Sequence, residues 1–213
     1  MALSFEERYK RLECLGSGMK GITYLVYDKI ENRDVVAKLA KYDDNVEGFY
    51  SIIHSIPLKC FVKPLNWFYP KHYPQGYDKP PSCEDEDSDY EPEEGWMIYT
   101  MPIYKEFKNN FEPELRLKYL TDIFHEYSLL QEKFGFCQGG DVGGNLLFGE
   151  LNDHSGVGIV IIDLDDCNLE EDTDIQYNDS ISFVNGFMWT NNNKELSDLL
   201  YKLQSLHSSD WNL

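Results

Sequence analysis

Apolar side chains in the first half of the chain fall into short runs separated by polar turns. Residues 11–39 are rich in β-branched and aromatic side chains on both sides of a polar turn at 28–33, which predicts an antiparallel meander of three strands. Apolar positions then recur at helical spacing from Val46 to Ile56, after the capping residues 43–45, and Pro57 ends this helix. Two further apolar runs, at 60–68 and 95–103, predict a strand pair.

The second half of the chain has a more helical pattern. Residues 113–134 repeat apolar positions at intervals of three and four, which predicts a long helix. A glycine-rich loop at 139–144, short strands at 145–148 and 158–165, and a leucine-rich helix beginning near Asn193 follow. Since strands dominate before residue 101 and helices after it, the pattern predicts an α+β fold with an N-lobe at 1–100 and a C-lobe at 101–213.

The composition is strongly acidic, with 38 Asp and Glu against 19 Lys and Arg and a net charge of −19 in 213 residues. At 42% hydrophobic and 15% aromatic residues, the chain is too apolar to be a disordered acidic protein. The negative field argues against direct nucleic-acid binding. The charge is concentrated at 84–94 and 163–174, and we expect residues 71–94, which are rich in proline and acid, to form a mobile loop. This loop either solvates the surface or docks a basic partner.

Five well-separated cysteines and the N-terminal residues bear on the compartment. No CxxC or Cys/His spacing occurs, so neither a disulfide framework nor a zinc site is indicated. No run resembles a signal peptide or a membrane span. We therefore expect the protein to act in a reducing cytoplasm, which could be that of a host cell, and to have no membrane partner.

Gly16, Gly18 and Gly21 form a GxGxxG motif. A dinucleotide-binding fold requires a helix directly after the third glycine, but residues 22–27 have the pattern of a strand. A flap that covers phosphates has a fixed order of elements: a strand, a glycine loop, a second strand, and a lysine on the third strand. The chain has this order, with Lys38 as the lysine. Considered separately, the glycines could form an ordinary hairpin turn, and Lys38 could be a solvated residue at the end of a strand. Considered together, these residues resemble the protein-kinase-like superfamily.

The resemblance implies a nucleotide site in the first lobe. Gly16, Ser17, Gly18 and Gly21 would cover the phosphates of ATP, and Lys38 would bind the α- and β-phosphates, with Ala37 beside it. Residues 98–102 look like the strand and hinge on which kinases hold adenine. Ile98 would then lie at the back of the pocket, and the backbone from Tyr99 to Met101 would bind the adenine.

A second segment is similar to the catalytic loop and metal-binding strand of the branch that includes aminoglycoside and choline phosphotransferases, RIO kinases and bacterial stress-response kinases. It consists of residues 136–148 and 160–166. By this resemblance Asp141 accepts the proton of a substrate hydroxyl, and Asn145 and Asp163 hold Mg²⁺. The alternative for Asp141 and Asn145 is a role as turn residues in a glycine-rich loop.

The sequence also departs from this branch. Four positions separate Asp141 from Asn145 where the branch has five, so either Asp141 or Gly140 occupies the catalytic position. No arginine precedes Asp141, and only Glu47 on the first predicted helix is a candidate partner for Lys38. About 50 residues follow Asp163, without an Ala-Pro-Glu segment, so the resemblance implies a bilobal kinase-like fold with a truncated helical C-lobe.

Three functions follow from these residues. The first is ATP- and Mg²⁺-dependent phosphoryl transfer to a hydroxyl, with a protein Ser/Thr acceptor preferred. The second is a pseudokinase that binds nucleotide, or docks a protein partner, without catalysis. The third, suggested by net charge alone, is an acidic mimic that occupies a nucleic-acid-binding protein.

Overall fold

The computed structural model describes residues 3–18, 20–80, 95–106, 113–138, 145–164 and 167–169. The chain divides into two compact units, one formed by Met1–Ile56 with Val62–Ile103 and the other by Pro57–Phe61 with Tyr104–Leu213. The fold is α+β. The predicted helix near Asn193 and the acidic run at 84–94 lie outside the described residues.

The first unit is built on a five-stranded antiparallel sheet. A short helix, α1 (Phe5–Arg8), precedes the meander of β1 (Tyr9–Ser17), β2 (Gly21–Asp28) and β3 (Arg33–Lys41). Helix α2 (Asp44–Ser55) follows, then β4 (Asn66–Phe68) and β5 (Trp96–Met101). The strand order is β1-β2-β3-β5-β4. The meander was predicted, and the Asp43 side chain caps α2 by accepting the amide hydrogens of Asn45 and Val46.

Both faces of the sheet are packed: Tyr99 on one face contacts Tyr50 of α2, and a cluster of aromatic and aliphatic residues lies on the other face. Strand residues at alternate positions, together with α1 and the segment after β4, pack there as one cluster: Phe5, Tyr9, Ile22, Tyr24, Val26, Val35, Ala37, Leu39, Tyr73, Trp96 and Ile98. Tyr73 was expected in a mobile loop at 71–94, yet it is only 9% exposed and donates a hydrogen bond to the Asp78 carbonyl oxygen at 2.6 Å. Arg11 also forms an ion pair with Asp78, at 2.7 Å. These contacts anchor residues 71–80 on the sheet.

The run at 60–68 was predicted as one strand, but only its last three residues pair with β5. Residues 57–61 belong to the second unit, where the backbone at Phe61 forms a parallel bridge with Ile161. Pro64 lies between the two parts and has no amide hydrogen to give to a ladder. A run of apolar residues that reads as one strand is therefore divided between two structural contexts.

The second unit contains the long helix α3 (Pro113–Phe134) and short strands. Strands β6 (Lys105–Glu106), β8 (Leu146–Glu150) and β9 (Val157–Ile161) form an antiparallel sheet in the order β6-β8-β9. Strands β7 (Phe136–Gln138) and β10 (Cys167–Leu169) form a separate pair. The ring of Phe136 contacts those of Phe61 and Tyr127, and these contacts tie α3 to the segment 57–61. No helix among the described residues is long and apolar enough to cross a membrane.

Candidate functional site

Lys38 projects from the face of the first unit's sheet that is opposite the aromatic core. Thr23 on β2 and Tyr99 on β5 are its direct cross-strand neighbours and share this face. Lys38 is only 7% exposed. Lysine is rarely buried to this degree, because desolvation of its charge is costly. The sheet therefore holds a mostly enclosed cation at the position that the sequence predicts for a phosphate-binding lysine.

An apolar strip lies beside Lys38 on the same face. Leu25 and Val36 are directly paired across β2 and β3, and Met101 of β5 lies opposite Val36. Leu25 and Val36 are partly exposed, whereas the alternate residues Tyr24 and Ala37 on the other face are fully buried. Leu25 and Val36 therefore present some apolar surface on this face, whereas Met101 is buried.

Helix α2 covers a different part of this face, next to Tyr99. The Tyr50 ring of α2 contacts the Tyr99 ring at 5.1 Å between centroids. Glu47, the candidate partner of Lys38, is engaged elsewhere. Its two carboxylate oxygens accept hydrogen bonds from the hydroxyls of Tyr42 and Tyr69, each at 2.8 Å. Glu47 thus fixes the first turn of α2 to the ends of β3 and β4.

The glycines of the hairpin between β1 and β2 differ in how closely their surroundings would approach a side chain. The Gly18 amide donates to the Gly21 carbonyl oxygen at 2.9 Å and closes the hairpin. A Cβ atom at Gly21 would lie 2.6 Å from the Leu39 carbonyl oxygen, so packing against β3 requires this glycine. A Cβ atom at Gly16 would meet nothing within 4 Å, and one at Gly18 only an ordinary contact at 3.7 Å.

Neither Gly16 nor Gly18 has a positive φ angle, so backbone conformation does not require glycine there either. Ser17, between them, is exposed and pairs with Ile22. Gly16 borders an irregularity in the β1–β2 register between Cys14 and Gly16, a place where glycine is common. Close approach of a ligand to the main chain is a second use of glycine at positions 16 and 18. This is the use that a phosphate-covering hairpin makes of glycine.

Two predicted nucleotide contacts lie on the wrong face. Ala37 and Ile98 are both fully buried in the aromatic core, opposite Lys38. The reason is the two-residue period of a strand, which places position 36, and not 37, on the face of Lys38. Val36 therefore occupies the place beside Lys38 that was expected for Ala37, and Tyr99 occupies the place that was expected for Ile98.

The backbone of Tyr99 and Met101, predicted to bind adenine, lies inside the sheet. Tyr99 pairs with Lys38 and Met101 with Val36. The Thr100 carbonyl oxygen accepts from the Leu65 amide on the β4 side, and successive carbonyls in a strand alternate in direction, so those of Tyr99 and Met101 point toward β3. The chain first leaves the ladder at Pro102. The backbone that lies outside the ladder, and that a hinge would use, begins after Met101.

The backbone at Asn145 lies beside the backbone that leads into Asp163 in the second unit. Leu146 pairs with Ile161 across β8 and β9, and the Ile162 amide donates to the Asn145 carbonyl oxygen at 2.9 Å. Asp163 follows directly. Its φ angle is +58°, one of three positive values among the described non-glycine residues, and the other two, Asn32 and His154, lie in turns. A positive φ at the end of a strand is a conformation that recurs at functional sites.

These two side chains suit magnesium by their chemistry, because carboxylate and amide oxygens are hard ligands and Mg²⁺ needs few protein ligands when phosphates and water complete its shell. Among the described residues, no group of three or more His, Cys, Asp or Glu side chains is placed to hold a metal ion. Asp141 and Gly140, together with Asp165 and Asp166, lie outside the described residues. The described pair alone would be a partial site that depends on the phosphates of a nucleotide.

A scan of the chain against models of known protein families gave no match, and a search of curated proteins gave none either. The functional argument therefore rests on the chain's own residues.

Proposed function

We propose that the protein is an ATP- and Mg²⁺-dependent phosphotransferase of the protein-kinase-like type, acting on a hydroxyl acceptor and preferentially on protein Ser or Thr. The observation that carries the proposal is the combination, in one sheet, of a buried Lys38, partly exposed Leu25 and Val36 on the same face, and a glycine hairpin with open space at Gly16. This is the arrangement that holds a nucleoside triphosphate.

In this proposal Lys38 binds the α- and β-phosphates, and the backbone at Gly16–Gly18 covers them. The adenine ring packs on Leu25 and Val36, in place of the predicted Ala37. Asn145 and Asp163 hold magnesium, which neutralises the charge that develops on the transferred phosphoryl group. Asp141 accepts the proton of the acceptor hydroxyl. The reaction takes place in the cytoplasm, and the acidic residues 84–94 contact a basic protein partner or substrate.

The alternative proposal is a pseudokinase that binds nucleotide or a protein partner without catalysis. It is favoured by one observation, the four-residue spacing from Asp141 to Asn145, which allows Gly140 to take the catalytic position. It is opposed by the presence of Lys38, Asn145 and Asp163, because a site without metal-nucleotide chemistry has no use for all three.

Nucleotide binding is tested by thermal unfolding with ATP, with and without Mg²⁺. A ligand at 100 times its Kd stabilises the folded state by about 2.7 kcal/mol, which is readily measured. We expect Asp163→Asn to abolish the Mg²⁺-dependent part of this stabilisation and to keep the metal-free part. Loss of both parts in a folded variant, or of neither, contradicts the role given to Asp163.

Catalysis is tested separately by phosphoryl transfer or slow ATP hydrolysis, comparing the wild type with Asp141→Asn at matched nucleotide occupancy. A general base contributes about 10²- to 10⁴-fold, so the variant should lose activity by that factor. Equal, measurable rates would contradict the role given to Asp141, and no turnover by either protein while both bind MgATP would favour the pseudokinase.

A further inference from the structure

Residues 57–61 form a connecting segment whose backbone is held almost entirely by other parts of the second unit. The Asn152 side-chain amide donates to the carbonyl oxygens of Leu58 and Phe61, and the Asn152 main-chain amide donates to that of Lys59. The remaining bonds of the segment lead to α3 and to β9. A segment with this many directed bonds has a fixed position within its unit.

Glu126 makes the contact from α3. It is only 8% exposed, and its Oε1 and Oε2 accept the amide hydrogens of Lys59 and Cys60, each at 2.8 Å. Both oxygens act as hydrogen-bond acceptors, as an ionised carboxylate does. In a protonated carboxyl group, the hydrogen on one oxygen would compete with the amide hydrogen that this oxygen accepts. Burial raises the pKa of Glu126, and the two amides oppose that effect. Hydrogen bonds to a charged acceptor are about twice as strong as neutral ones.

Two further hydrogen bonds hold the backbone just before Asp163, and one of them is made to Cys60, which Glu126 contacts. The Cys60 carbonyl oxygen accepts the Ile161 amide hydrogen at 2.7 Å, on one side of the chain. The next amide, that of Ile162, donates to the Asn145 carbonyl oxygen on the other side, at 2.9 Å. Asp163 is the following residue. The 160–161 and 161–162 peptide units are thus held by Cys60 and Asn145, the 162–163 unit joins them to Asp163, and Cys60 is held by Glu126.

We propose that Glu126 is a positioning residue for the Asn145–Asp163 pair, which acts by holding the backbone at Cys60 against the end of β9. The inference rests on the proposed function, because it assigns to the pair the role of a magnesium site. Glu126 itself touches neither nucleotide nor metal. Its physical effect is to restrict the range of positions open to the end of β9, which Asp163 follows.

The test compares Glu126→Gln with Lys59→Met in the full chain. Glutamine keeps the shape of the side chain but can accept only one of the two amide hydrogens. The control variant changes a residue of the same segment, removes its surface ion pair with Asp153 at 3.4 Å and its electrostatic attraction to Glu126, and leaves both backbone bonds to Glu126 in place. Both proteins are studied well below their melting temperatures, so that lower stability alone does not alter binding.

Two readouts are used. The first is the affinity for Mn²⁺ in the presence of ATP, where Mn²⁺ serves as a spectroscopic substitute for Mg²⁺. The affinity for ATP without metal is measured alongside it. A partner that bonds directly to a metal ligand is typically worth about 10- to 100-fold in metal affinity, and Glu126 acts one step further away, through the backbone. We expect a loss of about 3- to 10-fold in Glu126→Gln, unchanged metal-free ATP binding, and no change in Lys59→Met.

The second readout needs neither metal nor nucleotide. Amide hydrogen exchange at Ile161 and Ile162 should accelerate in Glu126→Gln relative to Ile159, earlier in the same strand. Unchanged exchange there, or unchanged metal affinity in a Glu126→Gln protein whose wild type binds metal, overturns the inference. Absence of metal binding by the wild type with accelerated exchange overturns the proposed function instead, and leaves Glu126 as a support of the β9 end only.

Discussion

Replacement of Asp28 by asparagine should destabilise the first unit in a way that depends on pH. Asp28, at the end of β2, is 1% exposed and accepts three hydrogen bonds from Arg8 at 2.8–3.1 Å. It also accepts the amide hydrogens of Ile30 and Glu31, which form the turn into β3. An asparagine side chain at this position could still accept from the turn, but it would leave the Arg8 guanidinium, which is 17% exposed, without its counter-charge.

The magnitude follows from the pKa of Asp28. Burial alone would raise it, but Arg8 and the two turn amides outweigh burial and lower the pKa from 3.8 to about 2. At about 1.4 kcal/mol for each unit of difference between the folded and unfolded states, this contributes about 2 kcal/mol at neutral pH. Since the folded-state value is the lower one, the stabilisation is complete above about pH 5 and is lost as the pH falls toward 2. Roughly half remains at pH 3.

The assay must report the first unit alone, so urea unfolding is followed by hydrogen-exchange mass spectrometry on peptides of β2 and β3. Asp28→Asn should lower the unfolding free energy by about 2–3 kcal/mol at pH 7 and by about 1 kcal/mol less at pH 3. Glu31→Gln is the control: Glu31 is 52% exposed and 4.0 Å from Arg8, and its loss should cost under about 0.5 kcal/mol. A pH-independent difference, or equal effects of the two variants, would refute the reasoning.

Four further variants test packing in both units. Tyr77→Phe should leave stability unchanged or raise it by up to about 1 kcal/mol in urea unfolding, because the buried hydroxyl has no partner among the described residues; a clear loss contradicts this. Gly21→Ala should lower the free energy of unfolding by about 1–3 kcal/mol. Gly16→Ala should change it by no more than about 0.5 kcal/mol and weaken ATP binding. Equal losses of stability in the two variants would contradict the different roles given to these glycines. Gly149→Ala should destabilise the second unit, since a Cβ atom there would lie 2.5 Å from the Tyr104 ring; unchanged exchange in β8 would contradict it.

Local patterns in the sequence predicted much of the first unit. Density of β-branched residues located the three strands of the meander, and Asp43 located the start of α2, because both signals depend on neighbouring residues alone. The placement of Lys38 on the third strand followed from the same pattern. Ala37 was misassigned because adjacency in a motif was given more weight than the two-residue period of the strand, which is enough to select Val36.

Other features depend on contacts that are distant in sequence. The run at 60–68 has the composition of one strand, and only the partners of its first residues, Glu126 and Ile161, show that it is divided. Residues 71–80 have the composition of a loop, and Arg11 and Tyr24, far upstream, anchor them through Asp78. Glu126 carried no sequence signal beyond being an acidic residue on the apolar side of a helix, a position where a carboxylate requires a hydrogen-bonding partner.

The central claim, that the Lys38 face of the first unit binds the phosphates of ATP, is tested most directly by calorimetric titration of MgATP into the wild type, Lys38→Met and Lys41→Met. Lys41 lies on the same strand, three residues further and on the opposite face, so it is a matched control. Hydrogen exchange in β2 and β3 verifies that each variant is folded. We expect Lys38→Met to weaken ATP binding about 10-fold or more, as loss of a charge-assisted hydrogen bond does, and Lys41→Met to bind as the wild type. Equal affinities of wild type and folded Lys38→Met, or no binding of MgATP by the wild type, would contradict the account.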